Sequence, residues 1–152
     1  RPFFKVTNKI FDYRGETVAD PSRSTITAAS RLEKGVEKQV EIFGESVRHS
    51  YEEGPEDTRH IKKWLANMFG DYYTRKGLSV AHREMITFCF LAAQGGCEPQ
   101  LKAHVEGNLN VGNSKQYLIN IASQCVPYIG YPRTLNALRC IQDGYTAWEA
   151  KQ

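Results

Sequence analysis

The sequence predicts an all-α fold. Apolar residues recur at three- and four-residue spacing over most of the chain, and no stretch sustains the alternation of a half-buried strand. Glycine or proline interrupts the periodic runs, so the connections are short and the helices are expected to pack antiparallel in a compact domain.

Residues 1–29 stand apart from that pattern and are expected to form an N-terminal arm or linker. Asp12-Tyr13-Arg14-Gly15-Glu16 reads as a turn and Asp20-Pro21-Ser22-Arg23-Ser24 as a linker, because proline restricts its predecessor and Ser and Asp side chains compete for backbone hydrogen bonds. Phe3, Phe4, Ile10 and Phe11 give this segment apolar surface to lay on its own domain or on a neighbouring subunit.

The helical domain is expected over 30–150. Its first helix starts near Ser30 and turns Leu32, Val36, Val40 and Phe43 inward, until Gly54-Pro55 breaks the pattern. A second runs from Asp57 to Phe69, with Ile61, Trp64, Leu65 and Met68 as its apolar stripe and Gly70 closing it. Tyr72, Tyr73 and Lys76-Gly77 lead to Ser79, the N-cap of a third helix whose body from Ile86 to Ala93 is almost wholly apolar. Gly95-Gly96 then reverses the chain into a fourth helix, which opens near Pro99, where a missing N–H has no intrahelical use, and ends at Gly112. Asn113 or Ser114 caps a fifth with Leu118, Ile121, Ala122 and Cys125 inward, and Pro127 stops or kinks it. Pro132 opens the last helix, which carries Leu135, Leu138, Ile141, Tyr145 and Trp148.

Composition excludes several classes of function. The 152 residues suit one domain with a sizeable core, and 41% hydrophobic with 24% charged residues is ordinary globular usage. A net charge of +3, with Lys and Arg interspersed among Asp and Glu, makes no stripe for nucleic acid or a membrane surface. The longest apolar stretch, Met85 to Ala93, falls well short of the ~20 residues that span a bilayer, and the first residues carry no signal-peptide pattern. The four cysteines, Cys89, Cys97, Cys125 and Cys140, form no CxxC pair and read as reduced thiols, so a cytoplasmic location is expected. A first residue that is Arg rather than Met reads as a trimmed product or a fragment.

The chemistry is expected where the third and fourth helices turn on each other. Glu84 stands on a helix whose neighbours at i+3, i+4 and i+7 are Thr87, Phe88 and Leu91, and it lies too far from Ser79 to complete a capping box. A carboxylate on such an element is costly to bury unless something pairs with it. His104 lies on a stripe with Cys97, Gln100 and Asn108, at a similar depth from the turn at ~1.5 Å per residue, and is the expected partner. Cys97, near a helix N-terminus where a thiolate is favoured, reads either as a packing residue or as a reactive thiol. Arg83, Arg133 and Arg139 are candidates for holding a substrate carboxylate, with Arg133 first because it adjoins the bend at Tyr128-Ile129-Gly130-Tyr131-Pro132. His49, His60, His82 and His104 have no spacing that closes a zinc site, so no metal is expected. The aromatic run Trp64, Phe69, Tyr72 and Tyr73 reads as core or subunit contact.

Four ordered segments resemble the carboxymuconolactone decarboxylase family: Leu78-Ser79-Val80-Ala81-His82-Arg83-Glu84-Met85-Ile86-Thr87, Gly95-Gly96-Cys97-Glu98-Pro99-Gln100-Leu101-Lys102-Ala103-His104, Leu109-Asn110-Val111-Gly112, and Tyr128-Ile129-Gly130-Tyr131-Pro132-Arg133-Thr134-Leu135-Asn136-Ala137-Leu138. The resemblance implies an alkylhydroperoxidase D-like helical fold built around a helical hairpin, assembled into trimers or hexamers, with a pocket between helices. It also implies one of two chemistries. Decarboxylase members are cofactor-free and release carbon dioxide from a carboxylated lactone. Members similar to alkylhydroperoxidase D use two cysteines three apart, a histidine four residues after the second, and an upstream glutamate in a proton relay.

Carried over by position, the glutamate falls on Glu84, the first cysteine on Cys97 and the histidine on His104, but Gln100 stands where the second cysteine would be. An amide can neither attack nor resolve a disulfide, so the redox chemistry would need Cys89, Cys125 or Cys140 within a Cα separation of ~7 Å of Cys97. The expected function is therefore a cofactor-independent decarboxylase or related lyase on a small carboxylic acid or lactone. Glu84, His104 and Cys97 form its catalytic set, and Arg133 and Gln100 contact substrate. A thiol peroxidase or disulfide reductase using Cys97, or a noncatalytic oligomeric binding protein, are the alternatives.

Overall fold

The computed structural model describes residues 2–16 and 23–152, and every regular element among them is helical. Seven α-helices follow one another: α1 (Pro2–Arg14), α2 (Arg31–Phe43), α3 (Arg59–Tyr73), α4 (Val80–Gln94), α5 (Glu98–Asn110), α6 (Lys115–Ile129) and α7 (Tyr131–Glu149). Short 3-10 turns at Glu45–Val47 and Ser50–Glu52 connect α2 to α3. None of the described helices is long and apolar enough to cross a membrane.

The N-terminal segment contains more regular structure than its sequence suggested. Residues read as an arm with a turn at 12–16 form α1 up to Arg14, and only Gly15, with φ 67°, makes the turn. Val6, Ile10 and Tyr13 on α1 are exposed. The expected linker falls largely on residues 17–22, outside the described residues.

Helices α4 to α7 share the larger core, in which Phe88, Leu101, Val105, Leu118, Ala137, Cys140 and Ile141 are buried. Two serines start its elements as expected. Ser79 accepts from the His82 N–H at 3.2 Å and Ser114 from the Tyr117 N–H at 3.1 Å, each meeting a donor that the first turn leaves free. Pro127 neither stops nor ends α6, which continues to Ile129. The last helix buries Thr134, Ala137, Cys140, Ile141 and Gly144, whereas Leu135, expected inside, is exposed.

A second, smaller cluster joins α2 and α3 through Ile42, Phe69 and Tyr73, with Phe43, Met68, Val80 and Val111 packed around it. Here the sequence expectation needs correction. Ile61, Trp64 and Leu65 are exposed, and α3 buries Ala66, Phe69, Gly70 and Tyr73, a face about 140° round the helix from the predicted one. Gly70 does not close the helix. A Cβ on it would stand 2.2 Å from the Arg31 carbonyl oxygen, and one on Gly35 would stand 1.8 Å from that of Ala66. Close approach of the α2 and α3 backbones thus selects small residues over large apolar ones at the crossing. On α2 the buried positions are Gly35, Val36, Gln39 and Ile42, so a polar amide faces inward where only apolar residues were expected.

Candidate functional site

The site lies where the two cores meet. Glu84 is completely buried, and its Oε2 lies 2.8 Å from Nδ1 of His104 on the facing helix. Gly107, one turn beyond His104, leaves the room this pair needs: a Cβ there would sit 2.8 Å from Glu84 Oε2 and 2.7 Å from Ile42 Cγ2. Phe43 from α2 stands edge-on to the His104 ring at 5.2 Å, fixing the imidazole from the other side. With Nδ1 committed to the carboxylate, Nε2 is the ring nitrogen left for a ligand.

Asn108 holds the two helices in register. It is fully buried, and its Nδ2 donates to the main-chain oxygens of His104 at 2.7 Å and Glu84 at 3.1 Å. Its own Oδ1 accepts from Asn113 Nδ2 at 2.8 Å, and that amide also donates to the Ala81 carbonyl at 2.9 Å. Replacing Asn108 with leucine should leave the Asn113 donor and the Glu84 carbonyl less well satisfied and lower stability by about 1–3 kcal/mol, read from the shift in urea midpoint.

Glu84 Oε1 is buried with no hydrogen-bond partner among the described residues. Tyr73 is nearby, but its hydroxyl is 2.5 Å from Thr87 Oγ1, and Thr87 in turn donates to the Arg83 carbonyl at 3.0 Å. Burial and the adjacent Glu84 carboxylate push the Tyr73 phenol well up, so it stays a neutral hydroxyl at physiological pH.

Two open cavities flank His104 and share Leu65, Met68, Phe69, Thr87 and His104 in their walls. The larger, of about 630 Å³, is bounded further by Gln39, Phe43, Leu91, Gln100 and the Glu106–Lys151 ion pair. The smaller, of about 440 Å³, is bounded by Tyr72, Tyr73, Leu78, Arg83, Ile86 and Phe90. Arg83 is tied by Nη2 to the Arg75 carbonyl at 2.7 Å, while its buried Nε–H has no partner among the described residues. Burial, helped by the like charge of Arg75, lowers its pKa.

The sequence-predicted residues divide into two groups. Glu84, His104 and Gln100 come together at the larger cavity or directly behind it. Cys97 and Arg133 lie elsewhere, on a separate space of about 10 Å³. Cys97 stands at the N-cap position of α5 without a side-chain cap bond, and its thiol donates to the Leu91 carbonyl at 3.4 Å, while Arg133 donates to the Gln94 carbonyl at 2.6 Å. All four cysteines are free. Cys89 on α4 has Cys125 of α6, not Cys97, as its thiol neighbour, and burial together with Cys125 pushes the Cys89 thiol up to about 11. Among the described residues no group of three or more His, Cys, Asp or Glu could hold a metal ion.

Sequence reasoning missed Gln39 and Phe43 as site residues, and it placed Asn108 on the right stripe without a role. The signal for Gln39 was present as a polar residue on the inward face of an amphipathic helix.

The profile of the carboxymuconolactone decarboxylase family matches residues 60–143, the segment that holds Arg83, Glu84, Cys97, Gln100, His104 and Arg133. The chain belongs to this family. Within it, the 4-carboxymuconolactone decarboxylase of Acinetobacter baylyi is 26% identical over 115 residues, which cover 74% of this chain and 85% of the relative. Glu84 and His104, on α4 and α5, lie inside the matched segment, whereas α2, which supplies Gln39 and Phe43, lies outside it.

Proposed function

We propose that this member of the carboxymuconolactone decarboxylase family is a cofactor-independent decarboxylase acting on a carboxylated lactone or a related enol acid. The observation that carries the reading is the buried Glu84–His104 pair, at 2.8 Å, between two cavities with largely apolar walls. The Acinetobacter relative, by its name a decarboxylase of a carboxylated lactone, agrees with it.

Breaking the carbon–carboxylate bond releases carbon dioxide and leaves the electron pair delocalised onto the lactone carbonyl as an enolate. The site must then stabilise an oxyanion and return a proton to carbon. His104, through Nε2, meets both needs: it polarises the oxygen where charge develops and delivers the proton. Glu84, unable to reach the cavity itself, acts through Nδ1 by stabilising the imidazolium, and His104 recovers its proton at Nε2 from solvent in the open cavity after product leaves. Arg83, which lines the smaller cavity and keeps a buried Nε–H without a partner among the described residues, is better placed than Arg133 to hold the substrate carboxylate. Gln100 contributes from the wall of the larger one. Leu65, Tyr72, Leu78 and Phe90 are exposed apolar residues around the smaller cavity, and assembly into a trimer or hexamer would cover them with another subunit.

The deciding experiment measures carbon dioxide release from 4-carboxymuconolactone beside peroxide consumption with a thiol reductant. Cys97→Ser is expected to keep at least about half of the decarboxylation, because Cys97 lies off both cavities. Peroxide turnover abolished by Cys97→Ser, with no decarboxylation by the native protein, would establish the thiol-peroxidase alternative instead. Tight ligand binding without carbon dioxide release from this or any larger carboxylated lactone, and without peroxide turnover, would establish the noncatalytic one.

A further inference from the structure

We propose that Gln39 determines specificity by reading a hydroxyl group on the ligand. On this reading the ligand is a hydroxylated carboxylic acid larger than a single ring, and it spans both cavities past His104. The inference builds on the assignment of the site to a carboxylated substrate and narrows its class.

Gln39 is only 6% exposed, yet it lines the larger cavity, and its Oε1 is buried without a hydrogen-bond donor among the described residues. Buried amides are normally paired, so an unpaired one on a cavity wall marks where a ligand supplies the missing group. A side-chain amide presents either its oxygen or its NH₂ after a half-turn. A hydroxyl satisfies both, since it donates and accepts.

The smaller cavity has a matching feature. Arg83 Nε–H is likewise buried and unpaired, and it is suited to a carboxylate. Between these two polar points the shared wall is Leu65, Met68, Phe69 and the single hydroxyl of Thr87, with His104 at the junction. The pattern is an anion at one end, an apolar body, and a hydroxyl at the other end. Size agrees with it: at about 630 and 440 Å³, each cavity alone lies within the ~300–1,000 Å³ that accommodates a drug-sized ligand, more than a one-ring lactone acid fills.

The test is equilibrium binding by calorimetry, which needs no turnover. The probes are 2-naphthoate, its 5-, 6- and 7-hydroxy derivatives, and 4-hydroxybenzoate. The native protein is expected to bind at least one hydroxynaphthoate about tenfold or more tightly than both 2-naphthoate and 4-hydroxybenzoate. Gln39→Leu should bring that hydroxynaphthoate to within about twofold of 2-naphthoate, both measured on the variant. Gln39→Met serves the same purpose should the leucine variant fold poorly. An unchanged ratio in the variant, or no hydroxynaphthoate preferred by the native protein, overturns the role of Gln39. Equal binding of 4-hydroxybenzoate overturns the size of the ligand. Failure of the decarboxylase reading would look different: no carbon dioxide from any carboxylated lactone, with these binding ratios intact.

Discussion

Replacing His104 with glutamine is expected to lower kcat for decarboxylation by ~10²–10⁴-fold, the usual contribution of one positioned acid–base group. Glutamine retains an N–H that can reach Glu84 Oε2 and occupies much of the volume beside Phe43, so the fold and ligand affinity should change little. What it lacks is a second nitrogen that gains and loses a proton. The loss should therefore fall on kcat, with KM within about threefold, because the interaction removed is one made only as charge develops. Glu84→Gln offers a parallel measurement: the amide still accepts a hydrogen bond from Nδ1 but no longer stabilises the imidazolium. Combining both changes should cost little more than either alone, since the two residues act as one unit. Full turnover by His104→Gln, on a substrate that the native protein demonstrably decarboxylates, would remove His104 from the chemistry.

The pair was legible in the sequence because its cost was visible there. A carboxylate among Thr87, Phe88 and Leu91 demands a partner, and counting residues to the turn at Gly95-Gly96 leaves His104 at matching depth. The caps at Ser79 and Ser114 were legible for a similarly local reason, since each side chain bonds a backbone N–H only three residues ahead. The walls around the pair were not. The strongest apolar residues of α3, Ile61, Trp64 and Leu65, suggested its inward face, but contact between the α2 and α3 backbones selects Ala66 and Gly70, whose small size gives no hydrophobic signal. Once that face is known, the rotation of α3 follows, and Leu65, Met68 and Phe69 turn toward the cavities. Gln39 escaped notice because polarity on a helix ordinarily indicates the solvent face. The bend beside Arg133 marks it as a substrate contact in the sequence, but its guanidinium is engaged by the Gln94 carbonyl 39 residues away, a contact that no local pattern encodes.

Gly35→Ala should be the most damaging single-methyl change in the α2–α3 unit, lowering stability by about 3 kcal/mol or more, at or above the upper end of ordinary overpacking. The reason is the identity of the atoms the methyl would meet. Its Cβ would stand 1.8 Å from the Ala66 carbonyl oxygen and 2.8 Å from the Gly70 nitrogen, both main-chain atoms of α3. A side chain could rotate away, but these atoms move only if the whole helix does. Alanine has the better intrinsic helix propensity by about 1 kcal/mol, so propensity alone predicts stabilisation, and the sign of the measured change separates the two effects. Separating α2 from α3 would also withdraw Gln39 and Phe43 from one wall of the larger cavity and Phe69 and Met68 from another. Turnover should therefore fall even at temperatures where the variant remains folded. Urea denaturation of Gly35→Ala, beside an exposed helical control such as Glu33→Ala on the same helix, provides the measurement. A loss below about 1 kcal/mol would show that the two helices do not touch at this crossing.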